Sequence, residues 1–173
     1  MQENQTDDAS KFGRWMLWAV WLLIFGLLIY FFSGFIERKY NPNQSPSSST
    51  SGGVTEVILK QNNMGHYVTN GFINGEPVTF LLDTGATSVT VGAHLGKKLG
   101  LSAGQRFNAQ TANGIVTVAS TTINELRIGD IRLLDVEANL NPGMKQNEIL
   151  LGMSALKRLE LVQRGDTLMI RSY

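Results

Sequence analysis

The chain predicts an all-β domain, a sandwich or barrel with one short C-terminal helix, preceded by a single transmembrane helix. Three observations lead there: an uncharged apolar run near the N-terminus, a series of short β-branched segments, and turn signals between them. From Trp15 to Ile36 (WMLWAVWLLIFGLLIYFFSGFI) no residue is charged. As a helix this run spans about 33 Å, enough for a hydrocarbon core of about 30 Å. Trp15, Trp18 and Trp21 stand at its first turns and Tyr30 nearer its far end, the placement that suits headgroup boundaries. The run is longer than the apolar part of a secretory signal, and no small-residue cleavage site follows it. Lys11 and Arg14 flank one end and Arg38 and Lys39 the other, so the positive-inside rule returns a tie on orientation.

Four regions follow: a polar tail at 1–14, the transmembrane helix at 15–36, a flexible linker at 37–53 and a folded domain at 54–173. The linker expectation rests on Tyr40 to Gly53 (YNPNQSPSSSTSGG), which is uncharged and nearly without apolar side chains. Two tethered domains would reach such a linker.

Within the domain, Val57–Leu59, Tyr67–Thr69, Val78–Leu82, Ser88–Val91, Ile115–Ile123, Leu126–Ile128, Ile131–Leu133, Leu159–Val162 and Thr167–Ile170 read as strands. Asn74-Gly75, Asn113-Gly114, Gly129-Asp130 and Arg164-Gly165-Asp166 mark the turns between them. Ala93–Leu99 is weakly helical because of Gly96, and Ser154–Leu159 is a helix of one or two turns. A net charge of +1 gives no footprint for nucleic acid. The absence of cysteine excludes disulfides, thiol catalysis and Cys-ligated metals. No metal or cofactor is expected. His66 and His94 are the sole histidines, far apart and outside any HExxH pattern. Gly92–Lys98 lacks the spacing of a phosphate loop, and Met153-Ser154 lacks a nucleophile elbow.

The chemistry concentrates at Asp83-Thr84-Gly85-Ala86-Thr87-Ser88. A carboxylate directly after the apolar Phe80-Leu81-Leu82 is poorly solvated, and the small residues behind it allow close approach by a partner or substrate. As an ordinary turn after a strand, Asp-Thr-Gly is equally good local chemistry.

Leu81-Leu82-Asp83-Thr84-Gly85-Ala86 resembles the signature of the retropepsin-like aspartic proteases, most closely their membrane-anchored bacterial branch. Leu150-Leu151-Gly152 before a short helix resembles the family's second landmark. Gln110–Val118, with its Asn113-Gly114 tip, falls where the family's flap hairpin would. The likeness covers about Val68 to Ile170 and implies a retropepsin-like (acid protease) β-barrel half-lobe. It implies Asp83 as the catalytic acid, supported by Thr84, Gly85 and Ala86. Ala112, Asn113 and Gly114 would close over a peptide or protein substrate. Thr84 would bond across a two-fold axis, and Thr167–Ile170 would join a dimer sheet.

Aspartic protease chemistry needs two carboxylates sharing a proton, one as base on the attacking water and one as acid to the carbonyl oxygen. The chain holds a single Asp-Thr-Gly; neither Asp130, Asp135 nor Asp166 repeats it. The resemblance therefore implies a homodimer with Asp83 from each copy, tethered to a bilayer through residues 15–36. Membrane-anchored bacterial relatives carry the domain outside the cytoplasm, which implies an inner-membrane protein with a periplasmic C-terminal domain. The flap segment Thr111–Ile115 departs from pepsin-like flaps in lacking an aromatic. The competing reading is a silent binding module in which the same fold presents its groove without cleaving, and a third is a plain structural tether. Asp83 discriminates, since a module that does not cleave has no chemical need of the acid.

Overall fold

The computed structural model describes residues 5–111 and 114–173. Two compact units result, Met1–Arg38 and Lys39–Tyr173. The first is formed by the helix α1 (Gln5–Tyr40). Its large apolar side chains from Trp15 to Ile36 are exposed. No stripe of the helix is apolar in preference to another, as expected of a segment that meets hydrocarbon all round. Length and composition qualify it to cross a membrane.

The second unit is almost entirely β. In order it contains β1 (Ser47–Ser51), β2 (Val54–Lys60), β3 (Val68–Ile73), β4 (Glu76–Leu82), β5 (Val89–Gly92), β6 (Arg106–Thr111), β7 (Gly114–Ile128), β8 (Ile131–Asn141), β9 (Glu148–Leu151), the one-turn helix α2 (Met153–Leu156), β10 (Glu160–Arg164) and β11 (Thr167–Ser172). Seven strands lie in the order β3-β4-β9-β5-β8-β7-β6, and β3 also pairs with β7, which closes the sheet into a barrel. Pairs β4–β9 and β5–β8 are parallel, whereas β5 and β9 run antiparallel. The remaining strands form a second, antiparallel sheet in the order β1-β2-β11-β10.

Alternation explains how the two sheets share one interior. Val57 and Leu59 of β2, Leu168 and Ile170 of β11, and Phe80, Ile123, Leu126, Ile128, Ile149 and Leu151 of the barrel all belong to a single buried cluster. The closing seam needs Gly71: a Cβ there would stand 2.7 Å from the Phe80 ring and closer still to the Arg127 carbonyl oxygen. Beside it the Arg127 guanidinium lies 4.4 Å over the Phe72 ring, a cation–π contact across the seam. The Asn74-Gly75 turn has φ of 51° and 85°, the left-handed pair that a two-residue hairpin requires.

Several expectations need correction. Residues 41–51 are folded, not a flexible linker. Asn43 is buried; its amide donates to the carbonyls of Lys60 (2.8 Å) and Val68 (2.7 Å), and its oxygen accepts from the Lys60 N–H (2.7 Å). Asn41 caps the Asn43 N–H and donates to Asn70, while Asn62 donates to the Tyr40 carbonyl. Gly52-Gly53, with φ of 60° and 84°, then turns Ser47–Ser51 back onto β2. Backbone pairing and asparagine amides hold the segment where apolar burial does not. The segments expected at Ile115–Ile123 and Leu126–Ile128 are one long strand, β7. Similarly, β8 runs on from Leu133 to Asn141. The expected C-terminal helix is the single turn α2, starting one residue earlier and stopping at Leu156. Ala93–Leu99 yields only a 3-10 turn at Ala93–Leu95.

Candidate active site

Asp83 follows the last residue of β4, in the middle of the barrel wall. Its N–H donates to the Leu151 carbonyl of β9 at 3.2 Å, and its own carbonyl accepts from the Ala86 N–H at 3.2 Å. The half-buried side chain is aimed by a further bond: Oδ1 accepts the Gly85 N–H at 2.9 Å. A carboxylate so held keeps one direction without a second side chain. A Cβ on Gly85 would stand 3.2 Å from that same oxygen, so a larger residue would crowd the carboxylate. Thr84 and Thr87 are exposed and Ala86 is half-buried.

The Leu150-Leu151-Gly152 element lies against the far side of this loop. Leu81 and Leu82 pair in parallel with Leu150 and Leu151. Gly152 is buried, and a Cβ there would meet the Ala86 carbonyl oxygen at 2.7 Å and that of Ser88 closer still. Directly after it, the N–H groups of Met153 and Ser154 donate to the carbonyls of Ala86 (2.8 Å) and Thr87 (3.0 Å). The start of α2, whose first N–H groups lack helical partners, is thus satisfied by the Asp83 loop. The structure therefore brings the two expected motifs together as one interlocked unit.

Residues that the sequence reading passed over complete it. Buried Ser154 donates from Oγ to the Glu137 carbonyl (2.7 Å) and accepts the Val89 N–H (2.9 Å). Asn139, also buried, donates to Ser88 Oγ at 2.7 Å. Ser154 stood in an expected helix and Asn139 beyond the expected end of a strand; neither position carried a local signal of burial.

The flap hairpin is β6–β7, paired from Arg106↔Ala119 to Thr111↔Gly114. Of the three flap residues expected to meet substrate, Gly114 opens β7 with φ of 105°, and its carbonyl accepts from Thr111 Oγ1 at 2.7 Å. Ala112 and Asn113 lie outside the described residues. Outside the Thr111–Ile115 tip the hairpin does carry an aromatic: Phe107 shares a face with Ala109, Val116 and Val118 and is 46% exposed. Both histidines are exposed; His94 Nε2 lies 3.1 Å from Asn147 Oδ1.

This arrangement, a closed β-barrel whose wall presents one Asp-Thr-Gly interlocked with a Leu-Leu-Gly, defines a class: the half-lobe of an aspartic protease. The family described as gag-polyprotein putative aspartyl protease matches residues 69–158, and the chain belongs to that retropepsin-like family. It is 31% identical over 166 residues to an uncharacterized protein from the cobV 5′ region of Sinorhizobium sp, spanning 88% of this chain and 71% of that one. An uncharacterized protein of Rickettsia prowazekii is 27% identical, over 90% of this chain and 70% of its own length. Among solved structures, the crystal structure of a retropepsin-like aspartic protease from Rickettsia conorii matches with a TM-score of 0.58 and 27% identity, covering 73% of this chain and 94% of that one.

Proposed function

We propose that the chain is a membrane-anchored aspartic endopeptidase whose Asp dyad forms when two copies associate, each contributing Asp83. The observation that carries this is the aimed carboxylate of Asp83 in a chain with one Asp-Thr-Gly, within a family of aspartic protease type. Two such carboxylates facing each other share one proton, since close like charges do not both ionise. The ionised one takes a proton from water as that water attacks the scissile carbonyl; the protonated one donates to the carbonyl oxygen. Thr84, exposed beside Asp83, would bond across the axis, and Gly85 would leave room for the water. Ala112, Asn113 and Gly114 would close over an extended peptide, with Phe107 and Val116 offering it an apolar face.

The helix from Trp15 to Ile36 would hold both copies in one bilayer, raising their effective concentration. A bacterial inner membrane with the barrel on the periplasmic side follows from the family resemblance. The test compares the full chain with Asp83→Asn, reconstituted in detergent, on a denatured protein mixture from pH 3 to 8. Wild type should cleave best at acid to near-neutral pH, and the variant should lose activity by about 10³-fold or more. Equal cleavage by both would remove Asp83 from the chemistry. A dimer that never cleaves would favour the binding-module reading.

A further inference from the structure

The polar segment that follows the apolar run leaves little slack. Residues 41–51 are folded, and Asn41 and Asn43 within them are buried. The apolar run ends at Ile36, so four residues carry the chain from there to Tyr40. Even fully extended, four residues reach only about 14 Å. The headgroup layer beyond the hydrocarbon is itself about 5–8 Å deep. In a chain anchored through residues 15–36, whatever touches Tyr40 therefore lies in that layer or just above it.

Asn62 makes that contact. Its Nδ2 donates to the Tyr40 carbonyl at 2.9 Å. The same side chain organises the loop 61–66, since its Oδ1 accepts the N–H groups of Met64 and His66, both at 3.0 Å. The Asn62 backbone closes the loop: its carbonyl accepts the Gly65 N–H at 3.0 Å, and its N–H donates to the His66 carbonyl at 2.8 Å. One buried asparagine thus binds Tyr40 to a tight loop, and Met64, at the tip of that loop, is 59% exposed.

A lone exposed methionine is ordinary on a protein surface. Met64 differs by its company. Lys60 stands opposite Thr167, which stands opposite Arg164, so the two cations share one face of the sheet. The Gln61 N–H donates to the Asp166 carbonyl at 2.7 Å, which holds that end of the sheet against the loop. Both cationic side chains are exposed and make no ion pair or hydrogen bond among the described residues. The two acids in this region are occupied: Glu148 accepts from the Tyr40 hydroxyl, and Asp166 Oδ1 accepts from Thr167 Oγ1 at 3.1 Å.

We propose that this end of the barrel is a phospholipid-binding surface, with Met64 entering the headgroup layer to the depth of the glycerol groups and Lys60 and Arg164 meeting lipid phosphates. An unbranched thioether side chain adapts to the irregular packing at that depth. Lysine and arginine reach phosphate through long stems that lie over apolar surface. An apolar tip beside free cations is the pattern by which a surface segment settles in a bilayer interface. The inference rests on the membrane-anchored reading of residues 15–36.

The chain has no cysteine, so Met64→Cys and Thr50→Cys each place a single fluorophore in the full chain. Thr50 is an exposed reference at a distance, since it pairs with Thr55, five residues along β2 from Lys60. Each variant is reconstituted in phosphatidylcholine vesicles that carry a nitroxide quencher at the start of the acyl chain, below the headgroups. All three tryptophans (Trp15, Trp18 and Trp21) lie in the anchor, and their quenching reports its insertion. With the tryptophans quenched, the fluorophore at 64 should lose about half its emission and the one at 50 almost none. Adding Lys60→Glu and Arg164→Glu should weaken the quenching at 64 by about twofold, and an unchanged value overturns the phosphate contacts. Quenched tryptophans with equal emission losses at 64 and 50, or with none at 64, overturn the surface and leave the anchor standing. Tryptophans that stay bright overturn the anchor and the surface with it.

Discussion

Around Asp83 the backbone is closed on itself, whereas along β10 it is left open. The loop from Asp83 to Ser88 has its polar groups taken up by β9, by the first turn of α2 and, at Ser88, by Asn139. The outer edge of β10, by contrast, pairs with no strand among the described residues. In the proposed pairing of one carboxylate against its twin, rigidity has to come from within each copy, and the open edge lies outside that closed frame.

The contrast can be broken first at the closed region. Gly152→Ala drives a methyl group into two backbone carbonyls that cannot turn aside. It should cost about 4 kcal/mol of stability, at the upper end for overpacking, with activity lost in parallel; thermal melting in detergent checks the first. Asn43→Ala tests how the polar segment before β2 is held. It strands the Lys60 N–H and the Lys60 and Val68 carbonyls, and should cost about 3 kcal/mol. A loss under about 0.5 kcal/mol would show that segment to be dispensable.

Ser154→Ala is a finer probe of the clamp. It removes a donor to Glu137 and an acceptor for Val89, for a loss of about 1.5 kcal/mol. If Ser154 positions the loop, kcat should fall more than KM rises, and a purely structural role would leave the ratio of the two unchanged. The smallest effect has the opposite sign. The Tyr67 hydroxyl is buried with no hydrogen-bond partner among the described residues, so Tyr67→Phe should stabilise by about 1 kcal/mol at neutral pH. Burial, and secondarily the charge of Asp166, raise the Tyr67 pKa above the usual tyrosine value of 10.0. The fold therefore prefers the neutral phenol. That preference is present below pH 10 and is lost as pH rises through the higher folded value, a decline Tyr67→Phe should flatten in melts taken from pH 9 upward.

Local patterns made much of this legible. Asn74-Gly75, the apolar strand before Asp83 and Leu150-Leu151-Gly152 each act through neighbours in sequence, and each stands where its pattern placed it. The parts that escaped depend on distant partners. Asn43 looked like linker because its partners, Lys60 and Val68, become neighbours only once the barrel has closed. Ser47–Ser51 carries no β-type residue beyond Thr50; its pairing comes from the Gly52-Gly53 turn, a signal that was available and was read as flexibility. Nothing in Thr167–Ile170 tells that β2 flanks it, which is why that strand looked free. Ser154 gave no hint of burial, because its partners come from β5 and β8.

The pairing of β1 also changes what self-cleavage would require. An aspartic protease groove takes its substrate as a separate extended strand. Bonds between Ser47 and Ser51 are therefore protected until β1 peels away from Val54–Ile58. If that opening costs about 3 kcal/mol, only about one molecule in 150 is susceptible at any moment. Processing there would follow the fraying equilibrium of one serine-rich hairpin, and whatever loosens the hairpin would set its pace.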